Sequence, residues 1–322
     1  MASPLLALIL AAGVSACSLG PAYRRPNIAA PPAWHTPPAA PTAGQAGPPP
    51  WPSADWWDGF HSAELGRLIE AGQRANDDLA AAIARVRQAD AQVRVASAPL
   101  LPSLDGSASG ARQRVISPLG NGALLFNQFS AELSAAYELD FWGKNRAARS
   151  AALATEAASR YDHETVELSV MSSLANTYFA VLEIRDRLHI AHDNLADAQE
   201  TLEGLETDEE AGTTTALDVA QQATVVATVA ASIPPLEQQE RQQTDALAIL
   251  VGATPQAFDV AAKTLDGLSE PPLGAGLPAE LLARRPDVAL AEAQLIAANA
   301  NIQAARAAFL PSIELTAAGG YA

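Results

Sequence analysis

The sequence holds a single cysteine, Cys17, so it can have no intramolecular disulfide framework. Basic residues are scarce, 20 against 36 acidic, giving a formal net charge of −16 over 322 residues. That balance argues against nucleic acid as a partner, because sequence-independent binding rests on basic contacts to phosphate. Aromatic residues make up only 5%, too few for a thick globular core built from large side chains. No run of 18 apolar residues occurs, and no helix is expected to span a bilayer. Catalytic signatures are missing as well: there is no Ser-His-Asp constellation, phosphate loop or CxxC motif. His189 and His192 stand three apart, as metal ligands could, but no third ligand accompanies them, so they read as solvent-facing. Alanine is what the chain has in quantity, 72 residues. It favours long helices packed closely side by side.

At the N-terminus, Leu5 to Val14 is an apolar run too short to span a membrane but of the length of a secretory h-region. Val14-Ser15-Ala16-Cys17 follows, and small residues before a lone cysteine resemble a bacterial lipobox. That resemblance implies a lipoprotein signal peptide over 1–16 and cleavage before Cys17. It further implies diacylglycerol on the thiol and an acyl chain such as palmitate on the new amino group, since several chains anchor where one does not. Ser18, rather than Asp, points within that class to the outer membrane. The stretch Met1 to Pro4 departs from the pattern by lacking Lys and Arg, and a buried free cysteine is the alternative. Residues 17–57 read as a lipid-anchored tether, with Pro31-Pro32, Pro37-Pro38 and Pro48-Pro49-Pro50 excluding regular helix or sheet. Trp56-Trp57 opens the folded part.

From Ser62 to Ala98 the spacing of Leu65, Leu68, Ile69, Leu79, Ile83, Val86 and Val93 predicts helix, with Asn76 or Asp77 capping a second segment and Pro99 and Pro102 ending it. The period then changes. Phe129, Ala131, Leu133, Ala135, Tyr137, Leu139 and Phe141 alternate with Ser130, Glu132, Ser134, Ala136, Glu138 and Asp140. Thirteen such residues suffice to cross a bilayer as a tilted strand, and the alternation fits a transmembrane barrel strand or a soluble half-buried one. Leu104 to Ile116 is the expected partner strand, joined by a loop around Pro118 to Gly122, so barrel strands are expected within 104–142. A long hairpin is expected over 144–250. Thr177, Val181, Ile184, Leu188, Ala191, Leu195, Ala198, Leu202 and Leu205 follow one another at steps alternating between four and three, a left-handed coiled-coil seam. Gly212 and Thr213 to Thr215 make the turn, and a return helix runs from Asp218 through Ala248 with a kink expected at Pro234-Pro235.

The chain also repeats itself. Residues 78–110 align with 287–319 at a constant offset of 209, with thirteen identities in 33 positions. Leu101-Pro102-Ser103 recurs as Leu310-Pro311-Ser312, and after it Ile313, Leu315, Ala317, Gly319 and Tyr321 begin a second alternating strand. A first repeat over 58–278 and the start of a second over 279–322 follow. Relative to the first repeat, roughly 139 residues of the second are absent, and an inactive truncated fragment, whose open strand edges would form no stable pore, is one alternative for the function of these 322 residues.

Several further stretches carry a family resemblance: Gly20 to Pro26, Trp56-Trp57 with Leu65 and Leu68-Ile69, Asn76 to Leu79, Tyr137 to Gly143, Gly212 to Val219, Ala246 to Gly252, and Leu281 to Val288 with its Arg284-Arg285-Pro286-Asp287 core. Together they resemble the TolC-like outer membrane factors, in the lipoprotein branch. The resemblance implies a mainly α fold with transmembrane β-strands, internally duplicated: long antiparallel coiled-coil hairpins and strands of a shared trimeric β-barrel. It implies a homotrimer anchored in outer-membrane lipid and extending into the periplasm. Such a trimer would dock on a periplasmic adaptor and an inner-membrane transporter and export drugs or other small solutes, without enzymatic activity, cofactor or metal. It makes Gly212, Thr213, Thr214, Ala216 and Leu217 the adaptor-contact tip, although Gly212 also fits a plain helix C-cap. Glu132, Glu138 and Asp140 would face the barrel lumen, with a cluster at the barrel's periplasmic end as the alternative for Asp140.

Between Leu188 and Glu240 there is no Lys or Arg, while Asp193, Asp197, Glu200, Glu203, Glu206, Asp208, Glu209 and Glu210 precede the turn. Acid at a helix C-terminus opposes the dipole at about 0.3–1 kcal/mol per exposed charge. It marks either a solvated face or an acidic entrance for cations or a basic adaptor patch. The family's gating aspartates lie on a second hairpin, so no gate residue is named. A periplasmic adaptor lipoprotein is the competing function; it would flank its hairpin with lipoyl-type β segments, and the offset-209 repeat decides against it.

Overall fold

The computed structural model describes residues 23–27, 29, 55–116, 123–271 and 278–321. The expected signal peptide, Cys17, most of the tether and the Pro118 to Gly122 loop lie outside these residues. In chain order the described elements are α1 (Ala63–Ala75), α2 (Asp77–Ser97), β1 (Ser103–Ile116), β2 (Ala123–Glu138), α3 (Lys144–Glu210), α4 (Ala216–Leu250), α5 (Pro278–Arg284), α6 (Pro286–Ala307) and β3 (Glu314–Tyr321). They fall into two units.

One unit takes in 55–83, 163–271 and 278–282. Its core gathers Leu65 and Ile69 of α1, Leu174, Tyr178, Val181 and Leu182 of α3, Leu247 of α4, and Val260. Each buried aliphatic side chain stabilises by about 1.5–3 kcal/mol. The few aromatics concentrate here: the Phe60 and Phe179 rings stand 4.8 Å apart, and Trp56 and Trp57 meet edge-on at 5.8 Å. Asn76 joins the α1–α2 break to the end of α4. Its Oδ1 accepts the amides of Asp78 and Leu79, capping α2, and its Nδ2 donates to the Leu250 carbonyl at 3.0 Å.

The described residues that follow α4, up to 271, have no regular structure beyond a short 3₁₀ turn at Pro255–Ala257, and two side chains pin them. The Glu64 carboxylate accepts the amides of Ala261 and Ala262. Arg185, only 13% exposed, donates to Glu240, Asp259 and the carbonyls of Val260 and Ala262.

Beyond this core α3 and α4 continue as a two-helix hairpin. From His189 to Glu210 every residue of α3 is exposed except Ala191, Leu195, Ala198, Leu202 and Leu205, the seam positions. The Gln222 side chain of α4 donates to the Ala198 carbonyl at 2.9 Å across it. At 67 residues α3 is about 100 Å long. Pro234 and Pro235 lie inside a continuous α4. By length and composition alone that helix also passes for a membrane-crossing one, and its most apolar stretch is almost wholly exposed. Ala, Val and Ile give the stretch its apolar character without forming an unbroken apolar run.

The second unit takes in 84–162 and 283–321, with 23–27. Its buried apolar helical positions are Ala89, Ala147, Ala151, Ala158, Ala293, Ala297, Ala300 and Ala307, with Asn145 the buried polar one among the described residues. Cores of methyl groups require helices that approach closely. The duplication is visible in the fold: α2 and α6 each lead through a Leu-Pro-Ser segment into a strand, β1 or β3, and the α1–α2 break at Asn76 corresponds to the α5–α6 break at Arg285. The second break is held differently, by Arg285 paired with Asp287.

Gly252 closes α4 in the left-handed region at φ +70°, and a Cβ there would lie 2.7 Å from the Ala75 carbonyl oxygen. Gly252→Ala should therefore destabilise by about 2 kcal/mol or more, combining left-handed strain with the clash. A lowered urea midpoint for the unfolding of this unit checks it.

Candidate functional site

Two places carry the residues singled out from sequence: the sheet and the hairpin turn. The sheet order is β1-β2-β3, antiparallel throughout. Ser103 to Ile116 pair with Ala136 down to Ala123, and Ala131 to Glu138 pair with Tyr321 down to Glu314. Partners share a face, so the register sorts the side chains. One face carries Leu104, Ala108, Phe129, Ala131, Leu133, Ala135, Tyr137, Leu315, Ala317 and Tyr321; the other carries Asp105, Ser107, Ser109, Ser130, Glu132, Ser134, Glu138, Glu314 and Thr316. Both faces are open: Phe129 is 73% exposed on the apolar one, and Asp105 and Glu132 are exposed on the polar one. The Phe129 ring lies over Gly110, and across the polar face the Ser109 and Ser130 hydroxyls meet at 2.7 Å.

Glu132 sits on this polar face between Ser107 and Gly320, and Glu138 lies opposite Glu314 with the Lys144 ammonium 2.6 Å away. Asp140 does not join them. The strand ends at Glu138 rather than Phe141, and the Asp140 carboxylate turns to the start of α3, accepting the amides of Asn145 and Arg146 at 3.0 and 2.9 Å. The expectation that it faces the lumen is corrected: orphan amides at a helix N-terminus attract a nearby carboxylate. The signal was present in sequence, an Asp just ahead of Gly143 and a helix start. Glu314 and Thr316 were not singled out; the repeat alignment with Asp105 and Ser107 points to them. At this end of the sheet the Trp142 indole N–H donates to the Pro311 carbonyl at 2.9 Å.

The hairpin turn is built from two caps. Gly212, at φ +73°, closes α3: its amide donates to the Glu209 carbonyl and that of Thr213 to the Asp208 carbonyl, a Schellman pair. Thr215 opens α4 in a capping box with Asp218, whose carboxylate also accepts from the Thr214 hydroxyl at 3.0 Å. These bonds hold the Asp218 carboxyl below its ordinary range, the Thr215 hydroxyl contributing most. Gly212, Thr213, Ala216 and Leu217 are exposed and Thr214 is half-buried. The side chains of Glu206, Asp208, Glu209 and Glu210 are exposed too, and the caps use only backbone carbonyls from this acidic end. His189 and His192 are exposed, His189 lying 3.5 Å from the Asp193 carboxylate.

The model of the family described as "Outer membrane efflux protein" matches residues 68–253 and 277–322. The chain belongs to that family. It is 46% identical over 271 residues to the pyoverdine export outer membrane protein OpmQ of Pseudomonas aeruginosa, covering 81% of this chain and 57% of the relative. The Pseudomonas putida protein of the same name is 42% identical over 315 residues, covering 96% and 66%. Among solved structures, the outer-membrane channel OprN superimposes with a TM-score of 0.79 at 28% identity, covering 93% of this chain and 66% of that one. The chain thus spans about three fifths to two thirds of the length of these curated relatives. Its fold is that of the TolC-like outer membrane channels, in which helices dominate and strands are few.

The pKa of Asp218 is lowered on folding, so its contribution to the turn is full above the ordinary carboxylate value and is lost as pH falls through the lowered one. Exchange protection of the Thr215 amide should stay level from neutral pH down to about pH 4 and fall below it. In Asp218→Asn it should be weaker and level over the same range. Hydrogen exchange corrected for intrinsic rates checks both.

Proposed function

We propose that this chain is the outer-membrane channel part of a tripartite efflux system, a passive, non-enzymatic export duct for small solutes. The observation that carries the reading is the two-faced sheet: over nine residues of β2, from Phe129 to Tyr137, the five alternate positions form an unbroken apolar face, while Ser130, Glu132 and Ser134 between them are polar. Nine is the number a tilted transmembrane strand needs, and lipid outside with a polar lumen inside gives this alternation. Glu132 and Glu138 then line the lumen. Family membership supports the same reading.

The finer parts of the proposal rest on the residues. Cys17 carries the lipid anchor, and 17–57 tethers it to the folded part. The chain works as a homotrimer, in which the exposed apolar surface of α4 and the open edges of the sheet are covered by neighbouring copies. Gly212, Thr213, Thr214, Ala216 and Leu217 form the tip that meets a periplasmic adaptor, which links the duct to an inner-membrane transporter. The side chains of Glu206, Asp208, Glu209 and Glu210 take no part in the caps of the turn, which supports a basic adaptor surface or cationic solutes as their counterpart. Relatives named for pyoverdine export and for toluene efflux support small solutes in general as cargo.

Adjacent residues on opposite faces test the reading. In cells lacking their own efflux channel, the chain should fractionate with the outer membrane and lower the retention of an efflux dye. Leu133→Arg puts a charge into hydrocarbon at about 2–4 kcal/mol and should remove the chain from that fraction. Ser134→Arg, facing the lumen, should still assemble. Recovery of all three proteins as soluble periplasmic chains would overturn the proposal.

A further inference from the structure

The apolar face of the sheet stops abruptly toward the β1–β2 turn. Following β1 along that face, Leu104, Gly106, Ala108 and Gly110 are succeeded by Arg112 and Arg114, which pair with Asn127 and Leu125. Both arginines are exposed. At the same level the opposite face holds Gln113 and Val115, both uncharged. In a chain of 20 basic and 36 acidic residues, two cations stand on the lipid-side face just past the apolar stretch, while the carboxylates Asp105, Glu132, Glu138 and Glu314 occupy the other face. α2 enters β1 and β2 leaves into α3 at the other end of the hairpin, so on the channel reading the arginine end is the extracellular one.

We propose that Arg112 and Arg114 form an outward-facing site for the phosphate groups of outer-leaflet lipid, with Asn127 beside them as a further amide donor. The inference rests on the channel reading, which supplies the orientation. The chemistry favours arginine over lysine for the task. A planar guanidinium presents paired donors that match phosphate oxygens, and its aliphatic stem can lie along apolar surface while the charge reaches the headgroup level. Placement on alternate residues of one strand puts both forks on one face, about 7 Å apart along it, so that two phosphates, or the two of a doubly phosphorylated glycolipid, can be held together.

The test uses the full chain in phosphatidylcholine liposomes, with and without bisphosphorylated lipid A. Dephosphorylated lipid A and dissolved inorganic phosphate are the comparison arms. Trypsin protection of the strands reports insertion; the lipid retained through mild detergent extraction, measured by native mass spectrometry, reports the site. The expected result is roughly thirtyfold greater retention of the phosphorylated lipid than of the dephosphorylated one, from about 1 kcal/mol for each of the two arginines. Arg112→Gln/Arg114→Gln should insert normally and bring the ratio to about one, while Arg149→Gln on α3 should leave it unchanged. A double variant that keeps the ratio overturns the proposal, as does competition by inorganic phosphate alone, which would mark a free-anion site. Insertion of the original chain without any phosphate preference overturns this site and leaves the channel reading standing. Failure of the strands to insert in every liposome overturns both.

Discussion

Hydrocarbon has no water to bond a backbone amide, so each N–H and C=O of a strand inside it must find a partner strand. That constraint accounts for more of this molecule than any single contact. β2 satisfies it on both sides from Ala131 to Ala136, with β1 along one edge and β3 along the other. The outer edges of β1 and β3 do not satisfy it within the sheet, and on the proposed reading strands of neighbouring copies must meet them. The same constraint sets the side-chain pattern: a sheet wall one strand thick has no interior, so its apolar residues face outward and its polar ones inward. A soluble sheet of this size would instead need a cover over Phe129, Leu133 and Tyr321.

The helical units obey a different economy. A chain with 5% aromatics concentrates its large side chains in one place, the cluster around Leu65, Ile69, Tyr178 and Leu247. In the second unit it packs methyl groups. Alanine seams at 147, 151 and 158 and at 293, 297, 300 and 307 need only short distances between helix axes, and they leave the remaining faces free for other helices. The far hairpin shows this most plainly, with a single narrow seam holding two helices and the other surfaces open to solvent. Such a hairpin is suited to stand beside further copies of itself.

Legibility from sequence followed periodicity. The nine-position seam, the strand alternation in β2, the cap at Asn76 and the offset-209 repeat all leave a regular trace, and each is found in the fold. β1 alternates from Leu104 to Gly110, yet its contrast is weak in sequence because Gly106, Ala108 and Gly110 stand against Ser107 and Ser109; small residues differ little in hydropathy, and the register is needed to see the faces. The Arg185 and Glu64 anchors were invisible for another reason. They bind backbone groups 75 to 198 residues away, and such bonds have no periodic signature. Asp140 was misassigned because it continues an alternation that the chain itself abandons two residues earlier, where helix capping outweighs strand pairing.

The duplication also carries a geometric consequence. Ser134 pairs with Asp105 on one side and with Ala318 on the other, a separation of 213 positions against a repeat offset of 209. β3 is therefore displaced by four residues along the strand direction relative to its equivalent, β1. Four residues amount to about 13 Å along strands that lie about 10 Å apart across the sheet. A repeat copied straight sideways would give an upright, flat ribbon. One copied with this slip gives strands that lean steeply, and leaning is what closure into a barrel demands, since strand tilt and register stagger are linked. The stagger is a property of the backbone alone, independent of which side chains are apolar. It reaches the same conclusion as the two faces by a separate route: these strands are a sector of a ring that needs more strands to close.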